Sequence, residues 1–320
     1  MSIKVSGQGA FKFALRDDLY NLPSVAKDNE VKLHGGFAID NRPDKGQIYY
    51  GMPGTGIMRV DRDLKSQDII SLPDNLGALN YHSTKIACLN GEERIILSAE
   101  GNEKVLLIDL DGNVDKTLSR PEFDEYKKAD IGYKPTDTVL IDDVLYIADG
   151  YGANYISTNN LVEDKWKSIF GGRAKDAEDD GKFSTAHGIN YNPVHKHLDI
   201  CDRPNSRIQT HDLNGEFLKS FKLPSGAFLC GINYFEQANQ WYAVIGCLRD
   251  PEVGDGRPAP IYIINAETYE LLSVVRPKEE LGVELAQHIH NAVMHIVDNT
   301  LYLVCQAWNP GHYFVLEQQL

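Results

Sequence analysis

The sequence predicts an all-β protein, a six-bladed β-propeller, and two observations support that prediction. First, a unit of two β-rich runs joined by a polar or glycine turn recurs six times along the chain. Six sheets of four short strands around one axis would use about 312 of the 320 residues, at about 52 residues per blade. Second, helical periodicity is scarce, and the segment from Pro277 to Ala286 is the best candidate for a short helix or turn.

The six copies share a pattern of short apolar strands bounded by turn residues. They begin at Gln47, Arg94, Val144, His197, Trp241 and Leu301. Turn signals such as Asp111-Gly112-Asn113 and Asn214-Gly215 suit tight hairpins. The sixth copy ends too soon for four strands, so a strand near the N-terminus, between about Lys4 and Leu15, is predicted to complete it and close the ring. Residues 1–320 are therefore expected to form one propeller domain.

Composition restricts the partners. The chain has 32 Lys and Arg against 46 Asp and Glu, a formal charge of −14. An acidic surface repels phosphate backbones and anionic lipids, which argues against nucleic-acid and membrane binding. A small-molecule substrate is the expected partner, and no obligate protein partner is evident.

The compartment is expected to be the cytoplasm. No apolar run approaches the eighteen or so residues of a membrane span, and the first residues lack the apolar core of a secretory signal. The five cysteines are scattered without a CxxC pair, which indicates reduced thiols. They are Cys88, Cys201, Cys230, Cys247 and Cys305.

Three histidines recur at about twice the blade period. His187 follows His82 by 105 residues, and His290 follows His187 by 103. The first strand of each propeller blade lines the central channel, so these side chains would come from alternate blades and could converge. Three neutral imidazoles with an open fourth position form a catalytic zinc site, so Zn(II) is favoured, with Fe, Mn or Co as alternatives. The competing interpretation is three unrelated histidines, each satisfied locally.

Six of the seven other histidines divide into two groups. His288, two residues before His290, would share its strand face and is expected to contact the substrate. The remainder are interpreted as surface or edge residues, or as residues without a partner at the blade period. These are His34, His195, His197, His211 and His312.

A tyrosine and an arginine follow the second strands of two consecutive blades. Tyr151 and Arg203 lie 52 residues apart, and both turns are near the channel mouth. A nearby cation lowers the pKa of a phenol, so Tyr151 is a candidate general base, and Arg203 can bind a carboxylate. The alternative is that both residues pack between blades. Arg207 is expected to brace loops, and aspartates in the two turns to accept backbone hydrogen bonds.

One stretch resembles a known family. GKFSTAHGINYNPVHKHLDICDRPNSRIQTHDLNGEFL is similar to an NHL-type propeller repeat and, more narrowly, to the lyase domain of peptidylglycine α-amidating enzymes. The matching elements are the His187 motif, the sixteen-residue step to Arg203, and KPTDTVLIDDVLYIADGYGANYI, which contains Tyr151. YHSTKI and HIHNAVMHIVDNTLYL match less closely. The similarity covers roughly residues 134–218, with support from the outer blades.

The resemblance implies a six-bladed propeller with zinc bound by His82, His187 and His290, and a structural Ca(II). It also implies that Tyr151 is the base and that Arg203 positions it and the substrate. The implied reaction is N-dealkylation of a carbinolamide: the substrate hydroxyl coordinates the metal, Tyr151 takes its proton, and the C–N bond breaks to release an amide and glyoxylate.

The chain departs from the family at several positions. Gly152 and Asp199 stand where cysteines are expected, and His288 stands in place of a methionine. Asn291 replaces an aspartate after the third ligand, which weakens the calcium expectation. A further substrate-binding arginine has no clear counterpart, although Arg42 and Arg59 are candidates.

The sequence therefore favours a metal-dependent lyase that cleaves the C–N bond of a small α-hydroxy acid derivative, of which ureidoglycolate-like molecules are examples. The alternatives are a metal-dependent hydrolase or another lyase using the same channel site, and a non-catalytic NHL-type binding propeller. A calcium lactonase-like site is disfavoured because calcium prefers oxygen ligands over imidazoles.

Overall fold

The computed structural model describes residues 3–128, 131–250, 258–308 and 310–320. Its strands form six small antiparallel sheets. Two short strands come first: β1 (Ser6–Gln8) and β2 (Phe11–Leu15). One helical turn, α1 (Ser24–Lys27), precedes the first four-stranded blade. That blade contains β3 (Gly35–Ile39), β4 (Ile48–Met52), β5 (Gly56–Val60) and β6 (Gln67–Ile70).

The second and third blades follow α2 (Asp74–Gly77). The second contains β7 (Tyr81–Leu89), β8 (Glu92–Ala99), β9 (Lys104–Ile108) and β10 (Val114–Leu118). The third contains β11 (Asp137–Ile141), β12 (Val144–Ala148), β13 (Tyr155–Asn160) and β14 (Lys165–Gly171).

The last three blades complete the ring. The fourth contains β15 (Ala186–Asn192), β16 (His197–Asp202), β17 (Arg207–His211) and β18 (Phe217–Lys222). The fifth contains β19 (Leu229–Gln237), β20 (Gln240–Cys247), β21 (Ile261–Asn265) and β22 (Leu271–Val275). The sixth begins with β23 (His288–Val297), β24 (Thr300–Trp308) and β25 (His312–Gln318). Between the fifth and sixth blades, Pro277–Leu281 forms one turn of π-helix within the segment predicted as a short helix or turn.

The ring is closed by both ends of the chain. β2 pairs antiparallel with β25, with Phe13 opposite Gln318 and Leu15 opposite Leu316. β2 is thus the fourth strand of the sixth blade, and β1 pairs beside it as a fifth. The prediction of a six-bladed propeller closed by an N-terminal strand is confirmed. Phe13 is fully buried, so closure adds apolar contact as well as backbone hydrogen bonds.

Local turn chemistry explains why each sheet is an antiparallel meander. The hairpin between the first two strands of the sixth blade turns at Asp298-Asn299, and both residues have positive φ, as a type I′ turn requires. The predicted turns at Gly112 and Gly215 also have positive φ and join third to fourth strands. The first strand of every blade therefore starts at one end of the channel, and the turn after the second strand returns to that same end.

Apolar residues between neighbouring blades make up the core. The largest cluster joins the fifth and sixth blades and includes Phe11 and Phe13 of the closing strand. The first strands contact one another in order around the ring, so that they line the central channel. All five cysteines are free thiols, and four of them are buried. No described helix is both long enough and apolar enough to span a bilayer.

Candidate metal centre

Each of the three predicted histidine ligands is the extra residue of a β-bulge. His82 lies between two residues of β7 whose partners on β8 are adjacent in sequence. His187 in β15 and His290 in β23 occupy the same place. A bulge re-aims the side chain of the extra residue and breaks the alternation of the strand. The bulges therefore provide a local reason why these imidazoles leave the sheet faces.

The structure brings the three imidazoles together at one end of the channel. Ligating nitrogens of His82, His187 and His290 all lie within 4.8 Å of one another. The Nε2 atoms of His82 and His290 are 3.2 Å apart. Two nitrogens bound to one tetrahedral ion at about 2.0–2.1 Å would be separated by about 3.3 Å. All three residues are at most 4% exposed, and in the described part of the chain no other group of His, Cys, Asp or Glu converges in this way.

The protonation of the cluster suits a metal. The Nδ1–H of His82 donates to the backbone carbonyl of Thr136 at 2.7 Å, so its Nε2 lone pair faces the other histidines. Burial lowers the pKa of His82, His187 and His290 well below the ordinary value, and the Arg203 charge adds to this effect. The imidazoles are therefore neutral at pH 7, which is the form that binds Zn(II), Fe, Mn or Co.

Tyr151 lies against this cluster. Its phenolic oxygen is 3.0 Å from Nε2 of His187 and 3.3 Å from Nε2 of His82. Nη1 of Arg203 donates to the same oxygen at 2.8 Å, and the guanidinium carbon lies 5.0 Å from the centre of the phenol ring. The structure thus brings together five of the six predicted site residues: three histidines, one tyrosine and one arginine.

A buried aspartate holds the turn that presents Tyr151. Asp149 accepts hydrogen bonds from the backbone N–H of Lys134 at 2.5 Å and of Ala153 at 2.7 Å. The Tyr126 hydroxyl donates to it at 2.8 Å. Burial raises the pKa of Asp149 to about 6 despite these donors. The aspartate therefore fixes the turn by accepting hydrogen bonds, as the sequence predicted.

The turn that presents Arg203 is held in the same way. Asp202 is fully buried and accepts from the backbone N–H of Ser184 at 2.8 Å and of Thr185 at 3.2 Å. Nε of Arg207 donates to its other oxygen at 2.9 Å. Arg207 is 1% exposed and also bonds Asp180, so it braces loops as predicted.

The pKa of Tyr151 differs from the expectation. Burial raises the pKa of the phenol, and the Arg203 charge and hydrogen bond only partly oppose that rise. With protein groups alone the balance favours the neutral phenol, because desolvation of the buried oxygen outweighs one neighbouring cation. A phenolate at this position requires further positive charge.

A cavity of about 500 Å³ opens above the cluster. It is large enough for a small molecule. Five of its lining residues come from the end of the second strand, or from the turn after it, in five successive blades. They are Glu100, Tyr151, Arg203, Leu248 and Trp308. His290, His34, Asn80 and Lys32 complete the lining.

His34 and His288 both lie near the histidine cluster and its cavity, and the expected contact of His288 with the substrate stays a prediction. The bulge at His290 interrupts the alternation on which the prediction for His288 rested, and the His288 ring packs 5.6 Å from that of Trp308, beside the cavity. His34, interpreted as a residue without a partner at the blade period, packs edge-on against His82 and His290, with 5.2 Å between the ring centres in each pair. It stands just before the inner strand of the first blade, outside the two-blade spacing, and spacing alone could not find it.

Three smaller expectations concern His211, two arginines and the Ca(II) site. His211 is buried beside Phe170 and Phe183, so its interpretation as a surface or edge residue is wrong: the face of a third strand packs against the neighbouring blade. Arg42 and Arg59 pair with nearby aspartates and do not line this cavity. The Ca(II) site remains a prediction of the resemblance.

Comparison with known proteins gives the fold. No family model and no curated protein matches the sequence. Among solved structures, the chain is similar to a gluconolactonase from Xanthomonas campestris (12% identity, TM-score 0.61), covering 99% of this chain and 96% of that one. It is also similar to virginiamycin B lyase from Staphylococcus aureus (12% identity, TM-score 0.55), covering all of both chains. A further structure, described as a putative gluconolactonase, has 13% identity and a TM-score of 0.56 over 90% of this chain and 91% of that one.

At these identities the similarity establishes a common architecture. The chain is a six-bladed β-propeller.

Proposed function

We propose that the protein is a metal-dependent lyase that cleaves the C–N bond of a carbinolamide derived from a small α-hydroxy acid. One observation carries the proposal: the Tyr151 hydroxyl lies within hydrogen-bond distance of two converging histidines and of Arg203. A phenol held between a cation and a set of neutral metal ligands is arranged for proton transfer at that centre.

The donor set supports a transition metal. His82, His187 and His290 would hold the ion, and Zn(II) matches three neutral imidazole nitrogens best, with Fe, Mn or Co as alternatives. The bound ion supplies a Lewis acid that lowers the pKa of a neighbouring hydroxyl group and of the Tyr151 phenol. Hard Ca²⁺ prefers oxygen ligands, and this cluster offers none from carboxylates.

Tyr151 would transfer the proton, and Arg203 would stabilise the negative charge. Tyr151, as phenolate, takes the proton from the substrate hydroxyl, and the oxygen electron pair forms the carbonyl of the aldehyde product. The C–N bond breaks with its electrons on nitrogen, and Tyr151 returns the proton to that nitrogen, so that an amide and glyoxylate leave. Arg203 donates to the phenol oxygen and would stabilise its negative charge, and because Arg203 lines the cavity its guanidinium would also bind a substrate carboxylate.

A hydrolase is the second candidate. Two of the similar solved structures are named as gluconolactonases, one of them as putative, and they share the architecture of this chain. This similarity favours a hydrolase. Virginiamycin B lyase, by its name a lyase, supports the first candidate to the same extent. A non-catalytic binding propeller does not explain why a partly buried tyrosine and arginine converge on the histidines.

Product analysis separates these candidates. Zn(II)-loaded protein is incubated with N-acetyl-α-hydroxyglycine, and glyoxylate is measured with a coupled dehydrogenase; a parallel assay follows acid release from glucono-δ-lactone. We expect glyoxylate formation that a chelator abolishes and added Zn(II) restores. Acid release without glyoxylate would favour the hydrolase, and the absence of both activities would favour the binding propeller.

A further inference from the structure

The three blades that carry the histidines each place one more side chain in the cavity, and all three occupy the same register position. In each blade, the residue before the bulged histidine pairs with the second strand, and the lining residue directly follows that partner. Tyr81 pairs with Ala99, which precedes Glu100. The fourth blade gives Arg203 in the same way, and in the sixth blade Trp308 follows the partner of Ile289. A carboxylate, a guanidinium and an indole are therefore arranged around the three-histidine centre.

Glu100 differs from the acidic residues of the neighbouring turns. Asp149 and Asp202 are fully buried and accept backbone N–H groups, so they are committed to holding the chain. Glu100 is half-buried, and the one hydrogen bond it makes within the described residues comes from Nδ2 of Asn80 at 2.6 Å to its Oε1. Asn80 itself lines the cavity. One carboxylate oxygen is thus oriented by Asn80, and the other is available to a ligand.

A carboxylate at this position selects among substrates by hydrogen bonding. It accepts N–H or O–H groups, and it repels a second substrate carboxylate. Arg203 offers the complementary site for the carboxylate of an α-hydroxy acid. Trp308 is 40% exposed and provides a flat apolar wall on which a planar group can lie.

We propose that Glu100 determines substrate specificity, and that the substrate carries a planar group with terminal N–H donors, such as a ureido group, bound through nitrogen to its hydroxylated carbon. The inference rests on the proposed lyase function and specifies its substrate class. The substrate carboxylate lies at Arg203, the terminal NH₂ donates to Glu100, and the plane of the group faces Trp308. An N-acyl group with a methyl in place of the NH₂ leaves the Glu100 carboxylate desolvated and unpaired.

Two isosteric ligands test this without requiring turnover. N-carbamoylglycine and N-acetylglycine differ only by NH₂ against CH₃, and neither has the hydroxyl that the lyase reaction needs. Binding of each to the Zn(II)-loaded protein is measured by titration calorimetry. We expect N-carbamoylglycine to bind about 10- to 100-fold more tightly, the range that a charge-assisted hydrogen bond provides.

Glu100→Leu should reduce this preference to about threefold or less, because N-carbamoylglycine loses its acceptor and N-acetylglycine no longer desolvates an unpaired carboxylate. Glu100→Gln keeps an acceptor oxygen and should retain an intermediate preference. Glu270→Leu is the matched control, because it removes an exposed carboxylate from a turn at the opposite end of the channel and should leave both affinities unchanged. Circular dichroism checks that each variant is folded.

The outcomes distinguish a failure of the Glu100 assignment from a failure of the proposed lyase function. A preference that disappears in Glu100→Leu supports the assignment even if no α-hydroxyglycine derivative is cleaved, in which case only the lyase proposal fails. Equal affinities in the wild type, or a preference that survives in Glu100→Leu, overturn the assignment. Cleavage of N-acetyl- and N-carbamoyl-α-hydroxyglycine with equal kcat/KM would overturn it as well.

Discussion

The Nη1 atom of Arg203 donates a hydrogen bond to the phenolic oxygen of Tyr151 across 2.8 Å, although the two residues belong to neighbouring blades. The same oxygen contacts His187 and His82, so one atom connects the cation to the histidine cluster. Arg203 therefore stabilises the deprotonated form of Tyr151 against the cost of burial. This relationship makes the tyrosine hydroxyl the first group to test.

Tyr151→Phe should reduce turnover by at least 10²-fold, and up to about 10⁴-fold, because the ring keeps its packing while the proton-transfer group is lost. Glyoxylate formation and metal content are measured on the same preparation. Metal content should remain at the wild-type level, since the three imidazoles are unchanged. Tyr155→Phe provides the control, because it removes the hydroxyl of a partly buried tyrosine in the adjacent strand. Full activity in Tyr151→Phe would remove the base assignment.

Purified protein should hold close to one transition-metal ion per chain, measured by inductively coupled plasma mass spectrometry. His187→Ala removes one of three ligands and should lose the ion while the circular dichroism spectrum is retained. His195→Ala changes a histidine in a turn of the same blade, away from the cluster, and should keep the ion. Wild-type protein that contains no metal after mild purification, and does not bind added Zn(II), would contradict the proposed centre.

The pH dependence of stability should report the buried imidazoles. In the unfolded chain they bind protons below about pH 6.5, but in the folded, chelator-treated protein their pKa is far lower. The unfolded state therefore binds more protons, and the free energy of unfolding should fall as pH decreases below about 6.5, by up to about 4 kcal/mol per pH unit for three histidines. Above that pH the contribution is constant.

Protonation of Asp149 has the opposite effect on the free energy of unfolding. Its pKa is raised to about 6, so the folded state binds its proton first and gains stability as pH falls from about 6 towards 4, by up to about 1.4 kcal/mol per unit. Urea denaturation of the chelator-treated protein between pH 5 and 8 measures the sum. Replacement of His82, His187 and His290 together by Gln should make the loss at acid pH smaller, and His34, His211 and His295, whose pKa burial also lowers, account for what remains. An unchanged slope in that variant would show that the imidazoles are not the titrating groups.

Arg207→Met should destabilise the protein by about 3–5 kcal/mol, because it leaves the buried Asp202 carboxylate without its cation. Arg207→Lys keeps a charge but loses the planar fork and should cost less. Guanidinium denaturation measures both. The exposed pair Arg59–Asp68 is the contrast: Arg59→Met should change stability by less than about 1 kcal/mol. Equal losses for Arg207→Met and Arg59→Met would contradict a bracing role for Arg207.

Sequence periodicity predicted the ring, its closure by a strand ending at Leu15, and the two-blade spacing of the histidines, because these depend on repeat length. It did not find Glu100 and Trp308. The signal was present: Glu100 follows His82 by 18 residues and Trp308 follows His290 by 18, compared with 16 between His187 and Arg203. The three side chains differ in chemistry, so their equivalence became visible only through strand register.

Other features depend on contacts between blades. The raised pKa of Tyr151 follows from how deeply the phenol is enclosed, which no spacing reveals. The bulges that re-aim the histidines carry no recognisable sequence mark, since the residues flanking them differ in every blade.

The pairing of β2 with β25 joins segments about 300 residues apart, so the sixth blade cannot assemble during translation until its last strand leaves the ribosome. His290 belongs to that blade. The proposed ion-binding centre therefore forms only after the sixth blade has closed, and ribosome-bound chains that lack this blade should bind zinc no more tightly than a two-histidine site.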